Sequence, residues 1–240
     1  HELRTPLNSI LLLSKLMVEN SDENLTEDQI ESAKVIQSSG SSLLSLIDEI
    51  LDLSKIEAGK MKLEYEMVSL KSICNDIQKM FKPLAAERGI SFHANLDSKL
   101  PDFIETDKLR VEQVIRNLIG NAIKFTSQGE VTFAFGADKM PDYLTITISD
   151  TGIGIGEDKQ KIIFEAFQQA DGSTRRKFGG TGLGLSISRE IVRLLGGSIS
   201  LESKVGEGST FTVIIPTKAS IVAEASTPIS YAENDDAKEQ

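Results

Sequence analysis

Apolar residues recur at helical spacing along the first quarter of the chain. In residues 1–19 the pattern advances by four and three positions in turn, and after a polar break at 20–24 it resumes and runs to residue 54. Thr26 and Gln29, three positions apart, have the form of a capping box at the start of the second segment. The spacing predicts two helices joined by a short turn, with seams formed by Leu3, Leu7, Ile10, Ser14 and Met17 and by Ala33, Ile36, Gly40, Leu43, Ile47, Ile50 and Ser54.

A hairpin of two helices has too little core to be stable alone, so its seam needs a second surface. The sequence favours pairing with a second copy, which gives a four-helix bundle in a homodimer. The reason is that both helices carry a further apolar row beside the seam, at Leu11 and Val18 and at Leu44 and Leu51. Packing of the hairpin on its own downstream domain is the alternative.

The pattern changes after residues 58–60, where Ala-Gly-Lys is expected to end the second helix and to act as a hinge. Downstream, helical and alternating runs mix without the regular strand–helix–strand order of a parallel sheet. This mixture predicts a two-layer α/β sandwich with a mixed sheet. Strands are predicted at 62–70, 90–96, 130–136, 143–149, 198–202 and 210–215, and helices at 72–87, 107–125 and 183–195, with Met80 and Leu84 among the residues of the first of these helices that face inward.

Apolar periodicity is lost near the end of the chain. The predicted division is therefore a helical hairpin at 1–58, a second domain at 59–218, and a flexible tail or linker at 219–240.

Composition excludes several classes of protein. The 240 residues carry a net charge of −10, which argues against a general surface for nucleic acid or anionic membrane. The single cysteine, Cys74, excludes an intrachain disulfide and occupies an apolar helical position, as a small core residue would. No stretch reaches the length of a membrane span and no signal peptide is present, so this part of the protein is expected in the cytoplasm without direct membrane contact. Because the chain opens on His1 rather than Met, it is expected to be a fragment, and membrane anchoring of the parent protein is left open.

Two glycine clusters flank a basic run between residues 150 and 184. Asp150 ends an alternating run, where its carboxylate could accept a hydrogen bond from a ligand amino group. The second cluster runs into a predicted helix, and the N–H groups at a helix start favour phosphate. Together with the basic residues Arg175, Arg176 and Lys177, these features predict a nucleotide site, although neither the Walker pattern nor G-x-G-x-x-G is present. Ordinary turns before a helix and a solvated basic loop are the alternatives.

Asn117 and Asn121 lie four positions apart, and so on one face of the predicted helix at 107–125. A side-chain carbonyl oxygen is a hard ligand suited to Mg²⁺, which takes few protein ligands and keeps waters and phosphates. Lys124 would then meet phosphate charge. Hydrogen bonding across a core is the alternative role for the two asparagines.

Five segments together resemble the sequence boxes of two-component sensor histidine kinases. They occur in the family's order and extend over nearly the whole chain to Pro216: His1-Glu-Leu-Arg-Thr-Pro-Leu7, Asn117-Leu-Ile-Gly-Asn121-Ala-Ile-Lys124-Phe-Thr, Asp150-Thr-Gly-Ile-Gly154, Phe164-Glu-Ala-Phe167 and Gly180-Thr-Gly182-Leu-Gly184-Leu. Each box alone is a modest signal, and five in order are very specific. The resemblance includes the hybrid type, and whether a receiver domain follows the tail is left open.

The resemblance implies an α+β fold in which the hairpin precedes an ATP-binding domain of the Bergerat type, shared with gyrase, Hsp90 and mismatch-repair ATPases. It implies ATP and Mg²⁺ as ligands, with Asp150 on the adenine amino group and Asn121, with Asn117, near the metal. Lys124 and the lid residues Arg175, Arg176 and Lys177 would contact phosphates. The remaining site residues implied are Gly152 and Gly154 of the first glycine box, Gly180, Thr181, Gly182, Leu183 and Gly184 of the second, Phe164 and Phe167 as lid anchors, and Thr210 near the adenine.

The family's acceptor of the phosphoryl group corresponds to His1, and its candidate base to Glu2. Thr5, on the same helical face as His1, corresponds to the position that orients water for dephosphorylation of a partner. Pro6 is expected to bend the helix just after the acceptor. A solvated helix face would be the simpler explanation of an isolated His-Glu pair, and the four downstream boxes reverse that preference.

The implied function is autophosphorylation on His1 with ATP, followed by transfer to an aspartate on the receiver domain of a response regulator, with regulator phosphatase activity as well. A nucleotide-binding scaffold without turnover is the alternative. No role is predicted for the other histidine, His93.

Overall fold

The computed structural model describes residues 2–166 and 181–219. Of the predicted site residues, His1, Phe167, Arg175, Arg176, Lys177 and Gly180 lie outside the described residues, as does all but the first residue of the predicted tail.

The chain begins with an antiparallel hairpin of α1 (Arg4–Glu19) and α2 (Glu27–Glu57). The capping box is confirmed: the Thr26 hydroxyl accepts from the N–H of Gln29, and the Gln29 side chain accepts from the N–H of Thr26. Because α1 starts only at Arg4, Pro6 lies in its first turn, where a missing N–H removes no intrahelical hydrogen bond. The predicted bend at Pro6 is therefore not required.

The predicted seams divide between two surfaces of the hairpin. One set is buried between α1 and α2, namely Leu7, Ser14, Ala33 and Gly40. The other set is exposed, namely Leu3, Ile10, Met17, Ile36, Leu43 and Ile50. Farther along α2, Leu46, Leu53 and Ile56 pack against the core of the downstream module, so part of the hairpin does lie on its own chain.

The rest of the described chain forms one α/β module. Its elements are β1 (Glu66–Ser69), α3 (Leu70–Glu87), β2 (Ile90–Leu96), β3 (Phe103–Thr106), α4 (Lys108–Phe125), β4 (Gly129–Ala137), β5 (Tyr143–Asp150), α5 (Glu157–Gln160), α6 (Gly184–Leu194), β6 (Ser198–Lys204) and β7 (Gly208–Pro216). Five strands form a sheet in the order β2-β4-β5-β7-β6, in which β2 and β4 are parallel and the other pairs antiparallel. The predicted hairpin and mixed-sheet sandwich are confirmed.

Side chains alternate across this sheet, as a sheet with one covered face requires. Along β5, Leu144, Ile146 and Ile148 are buried while the residues between them are only half-buried. The buried face packs with the apolar sides of α3, α4 and α6 in one core cluster. Cys74 belongs to that core and is a free thiol, as expected.

Some predicted inward residues are exposed. On α3 the buried row is Ile73, Ile77, Phe81 and Ala85, at a strict spacing of four. Met80 and Leu84 lie beside that row and are 44% and 46% exposed. These two predictions were wrong because apolar character at the border of the buried stripe does not fix which side of the helix is covered.

A separate two-stranded sheet pairs β1 with β3 in antiparallel fashion. The sequence missed β3, and it predicted β1 as nine residues where four are paired. With four residues each, these strands are too short for an alternating pattern to be distinguished from a loop.

The connection between hairpin and module is hydrogen-bonded at both ends. The N–H groups of Lys60 and Met61 bond to the Lys55 carbonyl, so the predicted hinge at 58–60 belongs to the end of α2. The buried carboxylate of Asp107 caps α4 by accepting from the N–H of Arg110, and it also accepts from the N–H of Glu64. Among the described helices, none is long and apolar enough to cross a membrane.

Replacing Thr26 with Ala should lower the free energy of unfolding of the hairpin by about 1 kcal/mol, because the first turn of α2 loses its side-chain acceptor. Urea unfolding followed by circular dichroism measures this change. Thr26→Ser, which keeps the hydroxyl, is the control and should stay near the wild type. Equal midpoints for Thr26→Ala and the wild type would contradict the capping role.

Candidate functional site

A cavity of about 410 Å³ lies where α2 faces α4 and α6. Polar and charged side chains dominate its lining, which consists of Ser45, Asp48, Glu49 and Asp52 from α2, Gln113, Arg116, Asn117, Gly120, Asn121 and Lys124 from α4, and Gly184, Ile187 and Ser188 from α6. The cavity therefore lies between the hairpin and the module.

The polar face of α4 points into this cavity because its other face is buried. Asn117, Asn121 and Lys124, predicted from spacing to lie near one another, all line it. The amide nitrogen of Asn117 donates to the Ser188 hydroxyl at 2.9 Å, which orients the side chain. A Cβ at Gly184 would lie 2.2 Å from the side-chain oxygen Oδ1 of Asn117, so glycine lets the start of α6 approach α4 without displacing this side chain.

Lys124 is only half-exposed, and burial lowers the pKa of its ammonium group. The ammonium nitrogen also lies 4.9 Å from the centre of the Phe125 ring. A partly desolvated cation that lines a cavity favours an anionic ligand, because the ligand's charge offsets the lost hydration.

Asp150 ends β5 and is 9% exposed. Its carboxylate accepts from the N–H of Gly152 at 2.8 Å. Burial raises the pKa of Asp150, and hydrogen bonds from the backbone of Gly152 and Ser209 partly offset that rise. A buried carboxylate with remaining acceptor capacity suits a ligand N–H donor.

Asp150 does not line the cavity between the helices, so the structure separates it from Asn121 and Lys124. The two places are linked through the end of α4. A Cβ at Gly152 would lie 2.5 Å from the Phe125 carbonyl oxygen, so glycine lets this turn rest on the residue after Lys124. Gly154 instead packs on the backbone of Lys204, the last residue of β6.

The second glycine box brings backbone groups to the candidate site rather than side chains. Leu183, predicted at the nucleotide, is fully buried and belongs to the core. Its N–H donates to the Thr181 hydroxyl oxygen at 3.1 Å, and α6 starts at the next residue, Gly184. Gly182, between Thr181 and Leu183, has a φ of +74°, in the left-handed region that favours glycine.

Thr210, predicted near the adenine, lies on the opposite face of the sheet from Asp150. It pairs with Ser149 on β5, and their hydroxyls are 2.9 Å apart. Asp150 is the next residue along, so its side chain points to the other face of the sheet. The residue directly opposite Asp150 is Ser209, which is buried beside it. The residue beside Asp150 is therefore Ser209 and not the predicted Thr210, and strand alternation could have distinguished the two.

Phe164 lies against Phe211 of β7, with ring centres 6.2 Å apart in an edge-to-face arrangement. Phe211 shares the buried face of the sheet with Ser209, so this contact fixes the chain close to Asp150 just before residue 167.

At the other end of the site, Glu2 and Thr5 are exposed near the start of α1. Arg4, between them, forms an ion pair with Asp48 of α2, which lines the cavity. The acidic side of α2, formed by Asp48, Glu49 and Asp52, was not predicted from the sequence. Three carboxylates within five positions of one helix were the available signal, but such runs are usually solvated.

In the part of the chain that the structure describes, no group of three His, Cys, Asp or Glu residues could hold a metal ion. On α4, the predicted metal donors that line the cavity are the amide oxygens of Asn117 and Asn121, and the carboxylates of the cavity lie on the opposite wall, on α2. This set fits Mg²⁺ that is held mainly by the oxygens of a bound phosphate, and it does not fit a metal bound by protein alone.

Comparison with known proteins gives two family matches. Residues 106–219 match the family described as histidine kinase-, DNA gyrase B- and HSP90-like ATPase, and residues 1–59 match the His Kinase A (phospho-acceptor) domain. The chain belongs to the two-component sensor histidine kinases. The ATPase-type match covers α4, Asp150 and α6, and the phospho-acceptor match covers the hairpin.

Several relatives of this histidine kinase are known. The autoinducer 2 sensor kinase/phosphatase LuxQ of Vibrio vulnificus is 39% identical over 95% of this chain and 27% of its own length. Full-length ShkA, solved in complex with AMPPNP, has a TM-score of 0.75 at 32% identity, over 90% of this chain and 44% of ShkA. ThkA, solved in complex with the response regulator protein TrrA, shares the fold with a TM-score of 0.59 at 24% identity, over 90% of this chain and 59% of ThkA. The chain thus spans about a quarter of the length of LuxQ.

Replacing Asp150 with Asn should weaken binding of an ATP analogue about 10- to 100-fold, because a charge-assisted hydrogen bond of about 1.5–3 kcal/mol is lost. Isothermal titration calorimetry at pH 7 measures this change. The same substitution should not lower the free energy of unfolding, since the buried charge is removed and an oxygen remains for the Gly152 N–H.

The raised pKa of Asp150 also predicts a pH dependence. In the wild type the stabilising contribution of this group is fully present below its unfolded pKa and is lost as pH rises through the raised folded pKa. Nucleotide binding should change in the opposite sense and weaken as pH falls through that pKa, because protonation removes the acceptor. Asp150→Asn should lack both dependences, and an unchanged pH profile of binding in this variant would contradict the assignment.

Proposed function

We propose that this protein transfers the γ-phosphoryl group of ATP to His1 and then to an aspartate on the receiver domain of a response regulator. One observation carries the proposal. The cavity that holds Asn121 and Lys124 is bounded by α2 at Asp48, and Asp48 is paired with Arg4, three residues after His1. The acceptor segment is thereby tied to the wall of the proposed phosphate site.

Within the proposal, Asp150 accepts a hydrogen bond from the adenine amino group, with Ser209 beside it. Lys124 binds the phosphates together with Arg175, Arg176 and Lys177 of the lid. The backbone of Gly180, Thr181, Gly182 and Gly184 lies against the triphosphate. Asn121 and Asn117 hold Mg²⁺, which when bound neutralises phosphate charge and orients the terminal phosphate.

For the transfer itself, the protein has mainly to position the imidazole of His1 against the terminal phosphate. A neutral ring nitrogen of His1 forms a bond to the γ-phosphorus as the bond to the β–γ bridging oxygen breaks, and ADP leaves with the electron pair. The proton on the other ring nitrogen passes to Glu2, which is exposed and able to turn toward the imidazole. In the second step an aspartate carboxylate oxygen of the regulator attacks the same phosphorus as its bond to His1 breaks, and Glu2 returns the proton to the ring, so that His1 leaves as the neutral imidazole.

A response regulator is the proposed partner, and the ThkA complex with TrrA supports a surface of this kind in a protein of the same fold. A second copy of the chain is the other proposed partner, in a homodimer built on a four-helix bundle. The exposed apolar row of the hairpin supports it, because six large apolar side chains on two helices need cover from water. The proposed domains remain 1–58, 59–218 and a linker at 219–240, and the proposed compartment is the cytoplasm, where ATP and response regulators are found.

Incubation with γ-labelled ATP and Mg²⁺ should give a label on the protein that is lost in acid and kept in alkali, as expected of phosphohistidine. His1→Gln should abolish the label and leave the affinity for an ATP analogue unchanged. Label that persists in His1→Gln would overturn His1 as the acceptor. Nucleotide binding without any label in the wild type would instead favour a scaffold without turnover.

Phosphatase activity toward the regulator is a second candidate, favoured by the name of LuxQ as a sensor kinase/phosphatase and by the exposure of Thr5 one turn beyond the acceptor. Thr5→Ala should slow dephosphorylation of a phosphorylated regulator at least 10-fold, because the group that orients the attacking water is removed. Autophosphorylation should stay near the wild-type rate. Equal loss of both activities would indicate a damaged hairpin and would contradict a specific role of Thr5.

A further inference from the structure

Two contacts hold α2 of the hairpin against the ATP-binding module. In the first, Asp52 accepts from Arg110 Nη1 at 2.9 Å and from Gln113 Nε2 at 2.8 Å. Arg110 also donates to Gln113 Oε1 at 2.7 Å, so the three side chains form a closed set. The ion pair is well shielded, since the side chains of Asp52 and Arg110 are both 15% exposed.

The second contact lies one turn away on α2. There the carboxylate of Glu49 accepts from the Thr181 hydroxyl at 2.5 Å. The Thr181 oxygen in turn accepts from the N–H of Leu183, the residue that precedes α6. A carboxylate of the hairpin is therefore bound at the segment to which the proposed function assigns phosphate.

We infer that Glu49 and Asp52 form a latch that opposes nucleotide loading. The latch is defined as the Asp52–Arg110–Gln113 set together with the Glu49–Thr181 hydrogen bond. With it closed, the anionic side of α2 faces the cavity that would receive the triphosphate, and a carboxylate holds the start of the second glycine box. Because like charges repel at short range in a partly desolvated site, the triphosphate and the closed latch disfavour each other.

The consequence is a coupling with a definite sign. A change that opens the latch raises the affinity for the nucleotide. By the same factor, a bound nucleotide shifts the equilibrium toward the open latch. A change in the hairpin thus reaches the ATP site through α2. This inference rests on the proposed ATP site, and the experiment below separates failure of the latch from failure of that site.

The test uses two substitutions that break the same contact but change charge in opposite directions, Asp52→Asn and Arg110→Gln. Arg110 does not line the cavity, so its loss acts through the latch. The latch predicts that both raise the affinity for AMPPNP with Mg²⁺, by about 5-fold or more. Simple electrostatics predicts opposite signs, since removing Arg110 takes a cation away from the neighbourhood of a polyanion. Glu49→Gln, which keeps the shape and removes the charge, should raise affinity as well.

Matched controls come from the far end of α2, where Asp28→Asn and Glu31→Gln remove the same charges at exposed positions away from the cavity. Both should bind as the wild type does. Small-angle X-ray scattering without nucleotide gives an independent readout, and Asp52→Asn and Arg110→Gln should increase the radius of gyration as the module leaves α2.

Increased affinity together with expansion in both latch variants supports the inference. Unchanged affinity, or affinity changes of opposite sign in Asp52→Asn and Arg110→Gln, overturns the latch while leaving the ATP site intact. Failure of the wild type and of every variant to bind the nucleotide overturns the ATP site, and the latch with it.

Discussion

The rest of the structure depends on the burial of one side of α4. Seven apolar side chains of this helix lie in the core between the sheet and its neighbouring helices: Val111, Val114, Ile115, Leu118, Ile119, Ala122 and Ile123. Burial on this scale fixes the rotation of the helix about its axis, because any turn would expose apolar surface at about 25 cal/mol per Å². With the rotation fixed, the polar side chains on the opposite face have one direction in which to point. Core packing therefore determines that Asn117, Asn121 and Lys124 point into the cavity.

Much of this could be predicted from sequence, because it depends on local spacing. The hairpin, the mixed sheet and the common face of Asn117 and Asn121 follow from periods of 3.6 and 2, and the capping box at Thr26 follows from two residue types three positions apart. Errors arose where spacing carries little information. The β3 strand was too short to alternate, and Thr210 was chosen over Ser209 although a shift of one residue reverses the face of a strand.

The contacts of α2 could not be predicted in this way. Asp52 and Arg110 are 58 positions apart, and their meeting depends on how hairpin and module are placed in space. The resemblance to histidine kinases indicated the residues that would touch ATP, and it gave no reason to examine the acidic side of α2. A solvated charge run and a partly buried ion pair between hairpin and module have the same appearance in sequence, and only the partner's position distinguishes them.

The connection between α2 and β1 has a mechanical consequence. Residues up to Met61 are bonded to the end of α2 through the Lys55 carbonyl, and Glu64 is held to the start of α4 by Asp107. Only Lys62 and Leu63 lie between these two anchors. Two extended residues span at most about 7 Å, so the module can separate from α2 only by turning about the end of that helix.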